Sequence, residues 1–363
     1  MTSGEPLLPE AANTAPLPEV ANMAPLPDAA NGALLAVRDL VHRFHTNGGV
    51  VQAVSGVSFD VYPGETLGIV GETGSGKSTL ARAVLQAPRP TSGSVVFRGT
   101  DLTALHGSRL LAARRHLQMV FQDPFGSLDP KWSVRNLVEE PLIAYRTGDR
   151  AARRDRVDQV LELVGLDPAA HGGRHPRELS GGQAQRVAIA RAVALSPALI
   201  VCDEAVSSLD VLIQAQVLNL FERLRAELGL SYLFIAHDLA LVKQVSDRVA
   251  VMYLGKLCEV GPGDSVYRQP LHPYTRALLD SIPSTDPAAT RAAATIKGEL
   301  PSPIHPPTGC RFRTRCPRAA ERCAAEEPQM RELAAGHSVA CHFPLVETVT
   351  TARSDQKIGE TPR

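Results

Sequence analysis

Three features are missing from this sequence of 363 residues, and each absence removes a class of function. Neither sign of charge is in excess, because Lys plus Arg and Asp plus Glu both total 38, so net charge does not favour a nucleic-acid partner. No apolar run approaches the roughly 18–20 residues that a membrane-spanning helix needs. No Lys or Arg precedes Arg38, so the basic start of a secretory signal is also missing. We therefore expect a cytosolic chain that does not itself cross a membrane.

Cysteine is scarce, with six in the chain, and a cytosolic location argues against a disulfide framework because cellular thiols keep such cysteines reduced. Ligation of a metal or a cluster is the alternative. Two of the six, Cys202 and Cys258, fall in predicted strands and are expected to pack as small apolar residues.

The two ends of the chain differ in composition from its middle. Residues 1–33 repeat a Pro- and Ala-rich unit of about nine residues, and such a segment has too little apolar bulk to fold, so we expect a disordered tail. Residues 262–345 are again rich in proline and hold the other four cysteines, which predicts a small, loop-rich module. Residues 346–363 are polar and are expected to fray.

The middle of the chain, residues 34–261, alternates short apolar runs with helical ones. The runs LGIV, ALIVC and YLFIA lack polar alternation, and each is followed by a helical pattern, which indicates a parallel sheet buried on both faces. Between about 124 and 194 the strand signals stop, and we expect a helical subdomain there. The predicted fold class is α/β with a P-loop core.

Residues 71–78 match the pattern G-x-x-x-x-G-K-[ST] between a predicted strand and a helix, the context that identifies a phosphate-binding loop. Its glycines allow backbone N–H groups to close around phosphate oxygens, and the helix adds the positive end of its dipole. Lys77 is expected to reach the β and γ phosphates and Ser78 to bind Mg²⁺. The full set predicted to hold nucleotide here is Gly71, Glu72, Thr73, Gly74, Ser75, Gly76, Lys77, Ser78 and Thr79.

Two further motifs are weaker when taken singly. The strand ALIVC runs into Asp203 and Glu204, which suit Mg²⁺ coordination and polarisation of an attacking water, although acids after a strand are often only a solvated strand end. The run LSGGQ at 179–183 precedes a helical pattern, so Ser180 is expected to cap a helix whose N–H groups attract an anion. A capped helix with no further role is the simpler reading of that run.

Taken together and in this order, the motifs resemble the ABC ATPase family. The order is Walker A, Gln122 in MVFQDP, the LSGGQ signature, Walker B with Glu204, SSLD at 207–210, and His237 in IAHD. The resemblance implies an antiparallel β subdomain beside the P-loop core, ATP and Mg²⁺ as cofactors, and two such domains packed head to tail. Each ATP would then lie between one subunit's Walker A and the other subunit's signature.

The resemblance also implies individual roles. Gln122 would touch Mg²⁺ and sense the γ-phosphate, and His237 would hold that phosphate and the attacking water. Phe44 would stack on adenine, with His45 as the alternative, while Asp210 would couple the two sites of the dimer. The signature residues that would serve the partner's ATP are Ser180, Gly181, Gly182 and Gln183.

Other phrases, VFQDPFGSLDP, EEPL, DEAVSSLDV and LHPYTRALL, resemble the oligopeptide/dipeptide importer branch, and the Walker B wording is similar to that of its second ATPase subunit. This implies a paralogous ATPase as partner, two membrane permease subunits, an extracytoplasmic solute-binding protein, and a peripheral position on the cytoplasmic face of the membrane. Residues 124–136 would meet the permease. The alternatives are an importer of nickel or another small solute, a soluble ABC ATPase acting on ribosomes or DNA, and a regulatory subunit with little turnover. Intact Glu204 and His237 argue against the last.

The remaining cysteines have five, six and seventeen residues between them, with no tight C-x-x-C pair, so spacing alone is weak evidence for zinc. Four thiolates can still complete a tetrahedral site for zinc or an iron–sulfur cluster. The importer branch has members with a [4Fe–4S] cluster in this segment, and we expect one here, with Zn²⁺ or free thiols as alternatives. The candidate ligands are Cys310, Cys316, Cys323 and Cys341.

Overall fold

A computed structural model describes residues 32–282 and 298–345. The tails predicted for 1–33 and 346–363 therefore lie outside the described residues, except for Gly32 and Ala33. Within the described ranges, no helix combines the length and apolar character needed to cross a membrane.

The strands of the described residues form two sheets. An antiparallel sheet has the order β2-β1-β4-β5, and a mixed sheet has the order β11-β12-β10-β9-β3-β8-β7-β6. Their bounds are β1 Leu35–Thr46, β2 Gly49–Val61, β3 Thr66–Val70, β4 Ser92–Phe97, β5 Thr100–Asp101, β6 Leu117–Val120, β7 Leu199–Asp203, β8 Ser231–Ala236, β9 Arg248–Tyr253, β10 Lys256–Pro262, β11 Arg331–Ala334 and β12 His337–Val339.

The helices cover the sheets and fill the segment between β6 and β7. Two short 3₁₀ turns lie at Leu102–Ala104 and Pro176–Glu178. The α-helices are α1 Lys77–Val84, α2 Gly107–Arg114, α3 Pro124–Ser127, α4 Val134–Ala144, α5 Arg150–Leu163, α6 Pro168–His171, α7 Gly181–Val193, α8 Val211–Leu228, α9 Leu239–Val245, α10 Gly263–Arg268, α11 Pro273–Asp280 and α12 Glu321–Ala325.

The centre of the mixed sheet is parallel, as the uninterrupted apolar runs predict. Strand β3 pairs in parallel with β8 and β9, and β7 pairs in parallel with β8 and β6. Every residue of β3, β7 and β8 is buried, so these strands have no polar face. Their carboxyl ends meet at one edge, where loops can carry a site.

Two apolar cores lie on either side of this sheet. One joins the antiparallel sheet and α1 to one face, and the other joins α4, α5, α7 and α8 to the opposite face. Residues 124–194, predicted as a helical subdomain, hold α3 to α7. Cys202 and Cys258 are buried in β7 and β10, and burial raises the pKa of both thiols.

The C-terminal segment is joined to the mixed sheet by a short hairpin. Strand β12 pairs antiparallel with β10, so the hairpin β11–β12 extends the mixed sheet. The buried carboxylate of Glu259 accepts hydrogen bonds from the amides of Leu271 and His272 and contacts the His337 ring at 2.7 Å. This hairpin attaches the segment to the main sheet, which a three-residue strand does not reveal in the sequence, while most of residues 298–345 lie outside helices and strands.

Candidate functional site

The phosphate-binding loop joins β3 to α1 and requires glycine where the chain comes close to its neighbours. Gly76 caps α1 with φ 103°, and a Cβ there would lie 2.0 Å from the carbonyl oxygen of Ala53. A Cβ on Gly71 would lie 2.1 Å from the carbonyl oxygen of Met252. These clashes exclude a side chain at Gly71 and at Gly76. The backbone N–H groups of the loop can therefore surround a phosphate group.

Lys77, the first residue of α1, is buried and folded back over this loop. Its Nζ donates to the carbonyl oxygens of Gly71 at 2.7 Å and of Glu72 at 2.9 Å. Burial lowers the pKa of Lys77, and the carboxylates of Glu204, Asp203 and Glu72 oppose that shift. A desolvated ammonium surrounded by backbone dipoles is suited to meet phosphate oxygens.

A carboxylate and a hydroxyl meet where β7 ends beside α1. Ser78 Oγ donates to Asp203 Oδ1 at 2.7 Å, and Asp203 is only 2% exposed. Burial raises the pKa of Asp203; the hydrogen bond from Ser78 and the charges of Arg82 and Lys77 oppose the shift, whereas Glu204 adds to it. These oxygens are ligands that Mg²⁺ prefers, so this pair fits the ion that the sequence predicts.

Three polar side chains converge immediately beyond this pair. Gln122 Nε2 donates to Glu204 Oε2 at 3.0 Å, and His237 Nδ1 lies 3.5 Å from the same oxygen. Glu204 has φ 50°, in the left-handed region that non-glycine residues rarely occupy, and such strain is concentrated at functional sites. The three follow β6, β7 and β8, so the parallel sheet brings together residues that are far apart in the chain.

A cleft of about 650 Å³ connects these groups to Phe44. Phe44 is 39% exposed and lies edge-to-face on His42, with ring centroids 4.5 Å apart. His45 is exposed and is not among the residues that line the cleft. The volume suits a nucleotide-sized ligand. The lining includes Phe44, Thr73, Gly74, Gly76, Lys77, Ser78, Thr79, Gln122, Glu204, His237 and Pro303.

The other predicted loop residues are placed differently. Ser75 is 1% exposed, and the Glu72 carboxylate pairs with Arg315 of the C-terminal segment, so neither side chain lines the cleft. Neither Arg315 nor Pro303 was predicted as part of the site. No local signal in the sequence could have found them, because Arg315 contacts Glu72 and the carbonyl oxygen of Pro303 accepts from the Gln52 amide, each across more than two hundred positions.

The signature run lies outside this cleft. Ser180 caps α7: its Oγ accepts from the Gln183 amide at 3.3 Å, and Gln183 Oε1 accepts from the Ser180 amide at 3.0 Å. Gly181 and Gly182 begin the helix, and a Cβ on Gly182 would lie 2.7 Å from Ile213. Asp210 caps the neighbouring α8 by accepting from the Ile213 amide. The helix starts of α7 and α8 are therefore adjacent.

The four C-terminal cysteines line one small cavity of about 10 Å³, with room for roughly one water molecule. Their convergence and soft donors are compatible with zinc or an iron–sulfur cluster. Within 32–282 and 298–345, however, no three His, Cys, Asp or Glu side chains are arranged to hold a metal ion. Ligation would require these thiols to move.

Comparison with known proteins relates both parts of the chain to transport proteins. Residues 54–207 match the family model of ABC transporters, and residues 258–323 match that of the oligopeptide/dipeptide transporter C-terminal region. The chain is 51% identical over 316 residues to a putative oligopeptide transport ATP-binding protein, YkfD, of Bacillus subtilis, covering 85% of this chain and 95% of the relative. The oligopeptide transport ATP-binding protein AppF of that organism is 48% identical, with 85% and 97% covered.

Solved structures extend the likeness to the fold. The ATP-binding cassette MJ0796, in a dimeric post-hydrolysis state bound to ADP and Pi, is 28% identical with a TM-score of 0.58, covering 63% of this chain and 98% of that one. The structure of cbiO1 from Clostridium perfringens, part of a transporter complex, is 27% identical with a TM-score of 0.58, covering 66% and 92%. The predicted α/β fold class with a P-loop core is confirmed.

Proposed function

The chain belongs to the ABC transporter ATP-binding proteins, in the branch with the oligopeptide/dipeptide transporter C-terminal region, and on this premise we propose that it hydrolyses ATP to drive peptide import. The observation that carries the proposal is the convergence of Lys77, Glu204 and His237 on one cleft. Separate permease subunits form the membrane path, and this chain associates with them peripherally at the cytoplasmic face.

The polar residues in and beside the cleft have complementary roles in phosphoryl transfer, a reaction catalysed mainly by positioning and charge stabilisation. Lys77 neutralises the β and γ phosphates, while the loop N–H groups orient them. Glu204 polarises the attacking water and accepts its proton, and Gln122 donates a hydrogen bond to that carboxylate. His237, whose ring lies 3.5 Å from the same oxygen, holds the γ-phosphate and the attacking water. Mg²⁺, when held by Ser78, Asp203 and Gln122, supplies further charge neutralisation. Phe44 provides a ring face for adenine.

The position of the signature supports a site shared between two subunits. Ser180 lies outside this chain's own cleft, so we propose that it contacts the γ-phosphate bound by a paralogous ATPase in a head-to-tail heterodimer. Asp210, beside it, couples the two sites. Residues 124–136 meet the permease, a role supported by the exposed rings of Phe125 and Trp132. A solute-binding protein delivers the substrate from outside.

Di- and oligopeptides are the proposed solutes because relatives that are about 50% identical to this chain are named as oligopeptide transport ATP-binding proteins. Nickel or another small solute is the alternative. A soluble ABC ATPase acting on nucleic acid is less well supported, since the chain has equal numbers of acidic and basic residues.

For the C-terminal cysteines we propose that the four thiols, which line one cavity but must move to act as ligands, hold a [4Fe–4S] cluster, with zinc as the alternative. Anaerobic purification followed by iron, sulfide and zinc analysis tests it. We expect about four irons per chain. Colourless protein that contains one zinc per chain would contradict the cluster and support zinc. Metal-free protein would exclude both.

Replacing Glu204 tests the function itself. We expect Glu204→Gln to lower ATP turnover about 100-fold or more while leaving ATP bound in a stable dimer with the partner subunit. Glu222→Gln, an exposed change on α8, is the matched control and should retain turnover. Wild-type turnover in Glu204→Gln would overturn the base assignment, and absence of ATP binding by the wild-type chain would overturn the proposed function.

A further inference from the structure

A side chain of the C-terminal segment reaches the phosphate-binding loop. Arg315 Nη1 donates to both carboxylate oxygens of Glu72, the second loop residue, at 3.0 Å each. The Arg315 side chain is 7% exposed and the Glu72 side chain 25%. The pair therefore lies mostly away from solvent, unlike the exposed ion pair between Arg322 and Glu326 of the same segment. Exposed pairs of that kind contribute little.

A second contact holds the backbone of the same loop residue. The Glu72 amide donates to Tyr274 Oη at 2.9 Å, and Tyr274 is fully buried on α11. The Glu72 carbonyl oxygen accepts from Lys77 Nζ at 2.9 Å. Glu72 is thus held through its side chain and amide by residues that follow the ATPase core, and its carbonyl connects it to the lysine that meets phosphate.

Arg315 itself is fixed in place by an aromatic cluster. Its guanidinium lies 5.8 Å from the Tyr253 ring centroid and donates to Tyr253 Oη at 3.4 Å. Phe312, three residues earlier, packs against Tyr253 at 5.2 Å and Tyr274 at 5.3 Å between ring centroids. The hydrogen bonds that Arg315 donates to Tyr253 and Glu72 therefore hold its guanidinium between the aromatic cluster and the phosphate-binding loop.

We propose that Arg315 is a positioning residue for nucleotide binding, through which the C-terminal segment sets the ATP affinity of the phosphate-binding loop. The inference rests on the proposed ATPase function. A loop already held in its binding shape does not have to be ordered when ATP arrives, so affinity rises. A pre-ordered loop stabilises bound ATP and the transition state equally. Loss of this order should therefore raise KM with little change in kcat.

The test compares Kd for MgATP, measured by calorimetry on the full chain, with KM and kcat in the assembled transporter. Arg315→Gln and Glu72→Gln should each weaken binding about tenfold, the effect expected from one buried charge-assisted contact. The double variant should bind no more weakly than either single variant, because both remove the same interaction. Arg315→Lys should recover part of the affinity. Arg322→Gln, the matched control from the exposed pair, should bind as the wild type does.

Other outcomes would overturn the inference. Wild-type Kd in both single variants would show that the pair only supports folding, as would a lowered Tm without a change in KM. Additive weakening of about 100-fold in the double variant would assign the effect to two independent contacts. If Arg315→Gln does not fold, Glu72→Gln still decides, because it alters the more exposed partner. Absence of ATP binding by the wild type would instead overturn the proposed function.

Discussion

At the scale of single residues, the cleft holds charges that burial disfavours. Burial lowers the pKa of Lys77 and raises the pKa of Asp203, so each charged form is less favoured in the folded protein than in water. Glu204 adds backbone strain at φ 50°. The residues proposed to perform catalysis therefore reduce folding stability, a trade-off common in active sites.

Replacing one of these charges should stabilise the fold. Because the pKa of Asp203 is raised in the folded state, the folded protein binds the carboxyl proton more tightly than the unfolded chain does. The free energy of unfolding therefore falls as pH rises from the unfolded to the folded pKa, and the charged carboxylate destabilises the fold above it. At neutral pH we expect Asp203→Asn to increase stability by about 1 kcal/mol. Thermal unfolding without nucleotide measures this as a rise in Tm of about 1–2 °C that shrinks as the pH is lowered.

The control for this prediction is Asp264→Asn, which removes a carboxylate whose side chain is 80% exposed and should change Tm little. Asp203→Asn should also lose ATP turnover, because it removes a proposed Mg²⁺ ligand. An unchanged or lower Tm at neutral pH, or a gain that grows on acidification, would contradict the argument.

Secondary-structure elements explain why so much of the site could be predicted. The P-loop, Glu204 and His237 each follow a short apolar strand, and parallel strands present their carboxyl ends at one edge. The contact from Arg315 to Glu72 spans 243 positions and comes from a segment without periodicity, so the sequence carries no sign of it. Strand β12, with three residues, is likewise too short to produce a pattern.

The start of α7 allows two roles of Ser180 to be separated. Ser180→Asp retains a side-chain cap and adds a charge that suits a helix N-terminus, whereas Ser180→Ala removes the cap and should cost about 1 kcal/mol. If Ser180 also faces the partner's γ-phosphate, the added carboxylate repels it. We therefore expect Ser180→Asp to keep wild-type Tm but to lose most ATPase activity in the assembled transporter.

The two measurements are thermal unfolding of the isolated chain and ATPase activity of the complex. Asp149→Ser, which exchanges one capping residue for another at α5, is the control and should preserve both. Full activity in Ser180→Asp would leave Ser180 as a helix cap with no role at the partner's nucleotide.

At the scale of the whole molecule, the surface around the signature has an unusual apolar character. Val211 and Leu212, which begin α8 directly after Asp210, are 78% and 77% exposed. The start of α7 is adjacent, since a Cβ on Gly181 would lie 3.4 Å from Leu209. Exposed apolar residues beside the signature are consistent with the proposed head-to-tail face, because closure over ATP would bury them.

A charge placed on this surface should prevent closure without affecting the fold. In the Glu204→Gln background with ATP and the partner ATPase, we expect Leu212→Lys to reduce the dimer fraction about tenfold or more, because closure would bury an unpaired ammonium. Light scattering after size exclusion measures the dimer, and Tm should stay unchanged because Leu212 is exposed. Leu111→Lys, on the 48% exposed Leu111 of α2, is the matched control and should dimerise fully. If Leu212→Lys also dimerises fully, the surface around α8 lies outside the interface, and the partner must approach Ser180 from another direction.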